Sequence, residues 1–210
     1  MSRLLAFGCS NTYGHGLRDI CLPNKTIPDE KKGPSKSAWP QVLAELLGIE
    51  CQNISWPGAS CKWISYQSLN YDIKLDDIVI FMWTYTNRSC IISEDDTVTQ
   101  LVRGKPAWDK WQRWRATTDD ESVYDLKNDN MAWISTANHV VKYKTPNCFN
   151  FTCNNQTYKD LQEKYNVNFL HDFHEVIESN PKALDGEHPS EETHQLIAKQ
   201  IYNTIEKRIK

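Results

Sequence analysis

The sequence predicts an α/β protein, a three-layer sandwich with a central parallel sheet of about five strands. Three observations carry that expectation. The run Ile78-Val79-Ile80-Phe81-Met82-Trp83 is apolar at every position, as suits a strand covered on both faces. The closing segment sets Ile197, Ile201, Ile205 and Ile209 four residues apart, which lines one face of a helix. Between the two ends, short apolar runs alternate with helical segments and no internal repeat is visible, the signature of strand-helix-strand units.

In chain order, Arg3-Leu4-Leu5-Ala6-Phe7 is a short buried strand that stops at a turn on Gly8. Ser10 follows at once. A serine there projects from the carboxyl edge of the sheet, where open α/β folds build their sites; the same position also suits a simple cap of the next helix or turn. Residues 15–36 are rich in Pro, Lys, Asp and Gly and have no helical period, so a long surface loop able to wall a pocket is expected. Trp39 to Gly48 is a helix with Pro40 in its first turn and Gly48 at its end. Ile49 to Ile54 is the second strand, Ser60 to Asn70 the second helix, and Ile78 to Trp83 the third strand.

Residues 88–124 break the rhythm and read as an insertion. Trp108, Trp111 and Trp114 stand three apart there, interleaved with Lys110 and Arg113. On a helix the indoles share a broad face, which fits a packing surface, a pocket lid or a stacking platform for sugars or bases. Tyr124 to Lys144 is a further helix, Cys148 to Phe151 a short strand, Leu161 to Tyr165 a helical piece and Val167 to Leu170 the last strand. Ser190 to Lys210 closes the chain, with Glu191 and Glu192 in the first turn and Lys207 and Arg208 in the last.

The chain has 210 residues, enough for one domain carrying an insertion. Its formal net charge of -3 gives no global pull toward nucleic acid or an anionic membrane. No run approaches the ~18 apolar residues of a membrane helix, and the apolar run before Gly8 is too short for a secretory signal, so a soluble cytoplasmic protein is expected. Seven cysteines without a CxxC pair fit free thiols in a reducing compartment. No metal or other cofactor is expected: His171 and His174 are three apart, yet no third ligand stands at a recognisable spacing.

The second chemical signal is Asp185-Gly186-Glu187-His188-Pro189-Ser190. One tight turn can place the Asp185 carboxylate beside the His188 imidazole, fixing the tautomer that leaves the other ring nitrogen free to take a serine proton. A helix-capping turn with an exposed histidine is the plain alternative.

Together the two ends resemble the GDSL/SGNH hydrolases. Gly8-Cys9-Ser10 stands where that family carries Gly-Asp-Ser after the first strand, with Cys9 in the aspartate position. Asp185, His188 and Pro189 match its Asp-x-x-His-Pro block without a gap. Asn53-Ile54-Ser55-Trp56-Pro57-Gly58-Ala59-Ser60 resembles the block that supplies a glycine after the second strand. The third block, usually Gly-x-Asn-Asp, faces Met82-Trp83-Thr84-Tyr85-Thr86-Asn87-Arg88, where either Asn87 or Tyr85 takes the asparagine slot.

The resemblance implies a flavodoxin-like SGNH fold and a serine esterase, lipase or acetylesterase. In it Ser10 is the nucleophile, His188 the base and Asp185 its orienting partner, with an oxyanion hole from Ser10, Gly58 and Asn87. Tyr85, Arg88, Trp108 and Trp111 are the candidates for substrate contact. The expected partner is a carbohydrate ester or other small ester with a short acyl group. An acyltransferase with the same triad and a non-catalytic binding protein are the alternatives.

Overall fold

A computed structural model describes residues 2–22, 32–85, 88–102, 106–107, 109, 126–153 and 162–209. Five parallel strands form the main sheet: β1 (Arg3–Phe7), β2 (Glu50–Asn53), β3 (Ile78–Trp83), β6 (Cys148–Thr152) and β7 (Phe169–Asp172). Their order across the sheet is β2-β1-β3-β6-β7. The chain turns from one direction of growth to the other beside β1, so the carboxyl ends of β1 and β3 border the crevice where ligands of such sheets sit.

Helices among the described residues include α1 (Ser10–Tyr13), α2 (Trp39–Leu47), α3 (Cys61–Leu69), α4 (Leu126–Lys144), α5 (Gln162–Tyr165), α6 (His174–Ser179) and α7 (Glu191–Ile205). α2 packs with α7, and α3 packs with α4, forming two helical layers around the sheet. Local signals explain the ends of these helices. Gly48 terminates α2 in the left-handed region (φ 69°), while Ser60 and Ser190 cap α3 and α7 by accepting from the Trp63 and Thr193 N–H groups.

Register places Phe7 beside Phe81, and the two rings stack at 5.5 Å, with Phe81 on Trp83 at 4.6 Å. Every residue of β3 is buried, as an all-apolar central strand requires. One polar chain crosses this core without loose ends: Trp83 Nε1 donates to Asn150 Oδ1 (2.9 Å), and Asn150 Nδ2 donates to Asn138 Oδ1 (2.6 Å). At the opposite edge, Arg3 holds the buried Asp77 through two hydrogen bonds, Nε to Oδ1 at 3.0 Å and Nη2 to Oδ2 at 2.6 Å.

The expected elements need four adjustments. The last strand starts at Phe169, because the Val167 N–H bonds to Gln162 O (3.1 Å) and closes the turn after α5. The final helix ends at Ile205: the Arg208 N–H reaches Ile205 O (2.8 Å), a tightened turn that leaves Lys207 and Arg208 beyond the helix. The short helix α6 carried no clear periodic signal. Residues 88–102 form an antiparallel hairpin, β4 (Arg88–Ile92) and β5 (Val98–Val102), in a sheet of its own. Asp96 takes a positive φ of 62° at its turn. Trp108, Trp111 and Trp114 lie outside the described residues. No described helix is long and apolar enough to cross a membrane.

Part of the expected surface loop is core. Leu17, Ile20 and Cys21 are buried, and Asp19 ties the two described ends of the loop together by accepting from Ser35 Oγ (2.7 Å) and Lys36 N (2.8 Å).

Candidate active site

The sharp turn after β1 puts Cys9 at the cap of α1 and Ser10 at its first position. Thr12 N and Tyr13 N both bond to Cys9 O at 3.0 Å, and Gly14 N and His15 N to Ser10 O at 3.1 Å. The Ser10 N–H and hydroxyl have no partner among the described residues, and the residue is buried at the sheet edge with 7% of its surface exposed. Cys9 is fully buried beneath, as alternation along an extended chain dictates. A methyl at Gly8 would lie 2.1 Å from Thr12 Oγ1, so only glycine permits this turn.

The loop after β2 is fastened to the same turn. Trp56 N donates to Gly8 O (3.2 Å), and Asn53 Nδ2 donates to Thr12 O (2.9 Å). Gly58 takes φ 76°, with no atom within 4 Å of where a side chain would begin, so its backbone borders open space.

The Asp185–His188 turn forms the second half. Asp185 Oδ1 accepts the N–H groups of Glu187 and His188 at 3.0 Å each, and Oδ2 lies 2.7 Å from His188 Nδ1. Burial pushes the Asp185 carboxyl up, but the His188 and Glu187 N–H groups and the His188 ring outweigh it, leaving the acid below its usual range. His188 thus has one nitrogen engaged and the other directed elsewhere, the arrangement a general base needs. The Ser10 hydroxyl makes no hydrogen bond to His188; such contacts are often long without substrate and tighten once it binds.

Gly14-His15-Gly16 joins the two halves. Both glycines adopt positive φ (79° and 82°), and Leu184 N bonds to Gly16 O at 3.2 Å. A methyl on Gly16 would lie 2.4 Å from Asp185 Oδ2, so the turn passes directly against the carboxylate. The His15 ring leans on His188 with centroids 4.7 Å apart. Burial, then the neighbouring His188, hold His15 below its ordinary pKa, while Asp185 and Glu187 pull the other way. No local spacing or periodicity singles out His15 and Gly16; two glycines flanking a histidine just beyond the serine are the available signal.

At the third block, Thr84 is buried and Tyr85 half-buried. The Arg88 guanidinium sits 4.9 Å from the Tyr85 ring centre and donates to Thr84 Oγ1 at 3.1 Å. Burial pushes the Tyr85 hydroxyl up to about 12, so it stays protonated. Asn87 lies outside the described residues, as do Trp108 and Trp111. His171 and His174 are both exposed and join no candidate metal cluster among the described residues. A cavity of about 400 Å³ opens behind the Gly16 turn, between Leu17, Arg18, Lys182, Leu184 and Glu191; neither Ser10 nor His188 lines it. Its wall includes Ser190, whose hydroxyl meets the Thr193 hydroxyl at 3.1 Å.

No family model and no curated protein matches the chain. Solved structures do. The acetyl xylan esterase Est2A from the rumen bacterium Butyrivibrio proteoclasticus superposes with a TM-score of 0.60 at 12% identity, over 99% of this chain and 64% of that one. A family two carbohydrate esterase from Clostridium thermocellum, solved with cellohexaose, gives 0.55 at 15% identity with the same coverage. The chain therefore spans about 64% of the length of these two. A lipolytic protein of the G-D-S-L family from Desulfitobacterium hafniense gives 0.51 at 13% identity, over 97% of this chain and 99% of that one. This chain has the fold of the GDSL/SGNH esterases and lipases.

Proposed function

We propose that the protein is a serine ester hydrolase, built as one domain with an insertion around residues 88–124. The observation that carries this reading is the 2.7 Å contact between Asp185 Oδ2 and His188 Nδ1, joined through the Gly14–Gly16 turn to a serine with a free hydroxyl at a strand end. Ser10 Oγ attacks the ester carbonyl while His188 takes its proton, and Asp185 holds the ring and stabilises the imidazolium. The N–H groups of Ser10 and Gly58, with the Asn87 side chain as third donor, bind the oxyanion. His188 returns the proton to the leaving alcohol, then activates the water that releases the acid.

A short acyl group on a carbohydrate or other small ester is the substrate class proposed. The carbohydrate esterases among the similar folds support that choice, and Tyr85, Arg88, Trp108 and Trp111 are the side chains proposed to meet the sugar. Fluorophosphonate labelling and p-nitrophenyl acetate turnover, compared between wild type and Ser10→Ala, test the reading. Loss of both in a folded variant is expected. A wild-type protein that is folded yet neither labelled nor active would favour a binding protein on this fold.

A further inference from the structure

Two histidines and a carboxylate from opposite ends of the chain converge beside the nucleophile turn. One ligand-competent atom of each of His15, Asp185 and His188 lies within 4.8 Å of the others. We propose that these three residues bind a divalent transition-metal ion of the zinc class, and that occupancy takes His188 away from its role as base. The binding is independent of the hydrolase reading; the inhibition rests on it.

The chemistry of the set selects the ion. Two imidazole nitrogens and one carboxylate oxygen suit zinc and its neighbours, whereas magnesium and calcium prefer all-oxygen sites. Three protein ligands leave a fourth position to water. A tetrahedral ion with bonds of about 2.1 Å spaces its ligands about 3.4 Å apart, so an ion on Asp185 Oδ2 and His188 Nδ1 replaces their 2.7 Å hydrogen bond and parts them by a few tenths of an ångström.

The supports are already oriented. Asp185 Oδ1 is held by two backbone N–H groups, which leaves Oδ2 turned to the His188 ring. Neither ring nitrogen of His15 has a hydrogen-bond partner among the described residues, and its Nδ1 is buried without one. The backbone beneath His15 is fixed by its N–H on Ser10 O and by the two left-handed glycines. The His15 ring lies against the His188 ring with centroids 4.7 Å apart, close enough for one ion to bridge the pair.

With the metal on His188 Nδ1, the ring's one remaining proton sits on Nε2, so no lone pair is left to accept the Ser10 proton. Zinc would therefore act as a reversible off-switch.

The test uses the full chain, stripped with EDTA and desalted, then titrated with zinc chloride against a chromophoric zinc indicator. Parallel samples are assayed with p-nitrophenyl acetate. One zinc per chain is expected, with His15→Gln and Asp185→Asn each weakening binding at least ~10-fold. Wild-type turnover should fall at the same midpoint and return with EDTA. Zinc bound equally well by folded His15→Gln, or bound without effect on turnover, would overturn the proposal. One zinc bound through His15 in a protein inactive even with EDTA would uphold the site and sink the hydrolase reading instead. If either variant fails to fold, cobalt in the wild type decides: a thiolate-to-metal absorption band would place the ion on cysteine and end the idea.

Discussion

Gly16 shows how little room the site leaves at the level of single residues. It carries φ 82°, and any side chain would begin 2.4 Å from the Asp185 carboxylate. Gly16→Ala therefore combines a backbone penalty of about 1–2 kcal/mol with displacement of the group that orients His188. A shift of roughly 1 Å in such a group can cost a hundred-fold in rate. The expected result is about a hundred-fold loss of p-nitrophenyl acetate turnover with a melting temperature only a few degrees lower. Wild-type turnover in Gly16→Ala would show that Asp185 does not depend on this turn. Cys9 illustrates the complementary case. It replaces the aspartate usual in the resembled motif, yet its side chain is buried, so the substitution alters the core beneath Ser10 rather than the groups presented to substrate.

Between elements, the joint of α2 and α7 carries a pH-sensitive contact. His194 Nδ1 accepts the Trp39 N–H at 3.1 Å, and the ring is fully buried. Burial, with a smaller push from His188, lowers its pKa to about 3. The unfolded value is near 6.5, so between roughly pH 6.5 and 3 the unfolded chain binds a proton that the native one refuses. Stability is complete above that window and falls as the solution is acidified through it, by about 1.4 kcal/mol per pH unit at most from this group. His15 works in the same direction, its pKa being lowered too. His194→Ala leaves the Trp39 N–H without an acceptor beside a cavity, a loss of about 2–4 kcal/mol at pH 7. The variant should also show a shallower decline between pH 6.5 and 5. Urea unfolding at both pH values measures the two effects; an unchanged pH slope would remove His194 as their source.

For the whole molecule, the seven cysteines give a global reading of integrity. All are free, six are buried and Cys51 is half-buried, with burial pushing its thiol up to about 12. Reactivity needs an accessible thiolate, so the native protein should react with Ellman's reagent very slowly. All seven thiols should react after denaturation, and a reducing agent should leave the melting temperature unchanged. Rapid reaction of several thiols in native buffer would contradict the packing described for β1, β3 and β6. That packing also explains the place of the site: β1 and β3 lie side by side at the centre of the sheet, so the turns leaving their carboxyl ends share one edge.

The sequence alone determined the sheet and most of its helices. β1 and β3 were legible to the residue because unbroken apolar runs have few alternatives, and α2 and α3 because proline, serine and glycine mark their ends. It made the Asp185–His188 contact one of two readings, since a three-residue turn allows it as readily as a plain helix cap, and the 2.7 Å pairing chose between them. The hairpin at 88–102 was not legible, because weak alternation on a small separate sheet lacks the burial that makes a strand distinctive. Only the tertiary structure decided that His15 rests on His188 and that Gly16 passes against Asp185. These residues come from opposite ends of the chain, and no local periodicity or spacing encodes a contact made by folding the two ends onto one sheet edge.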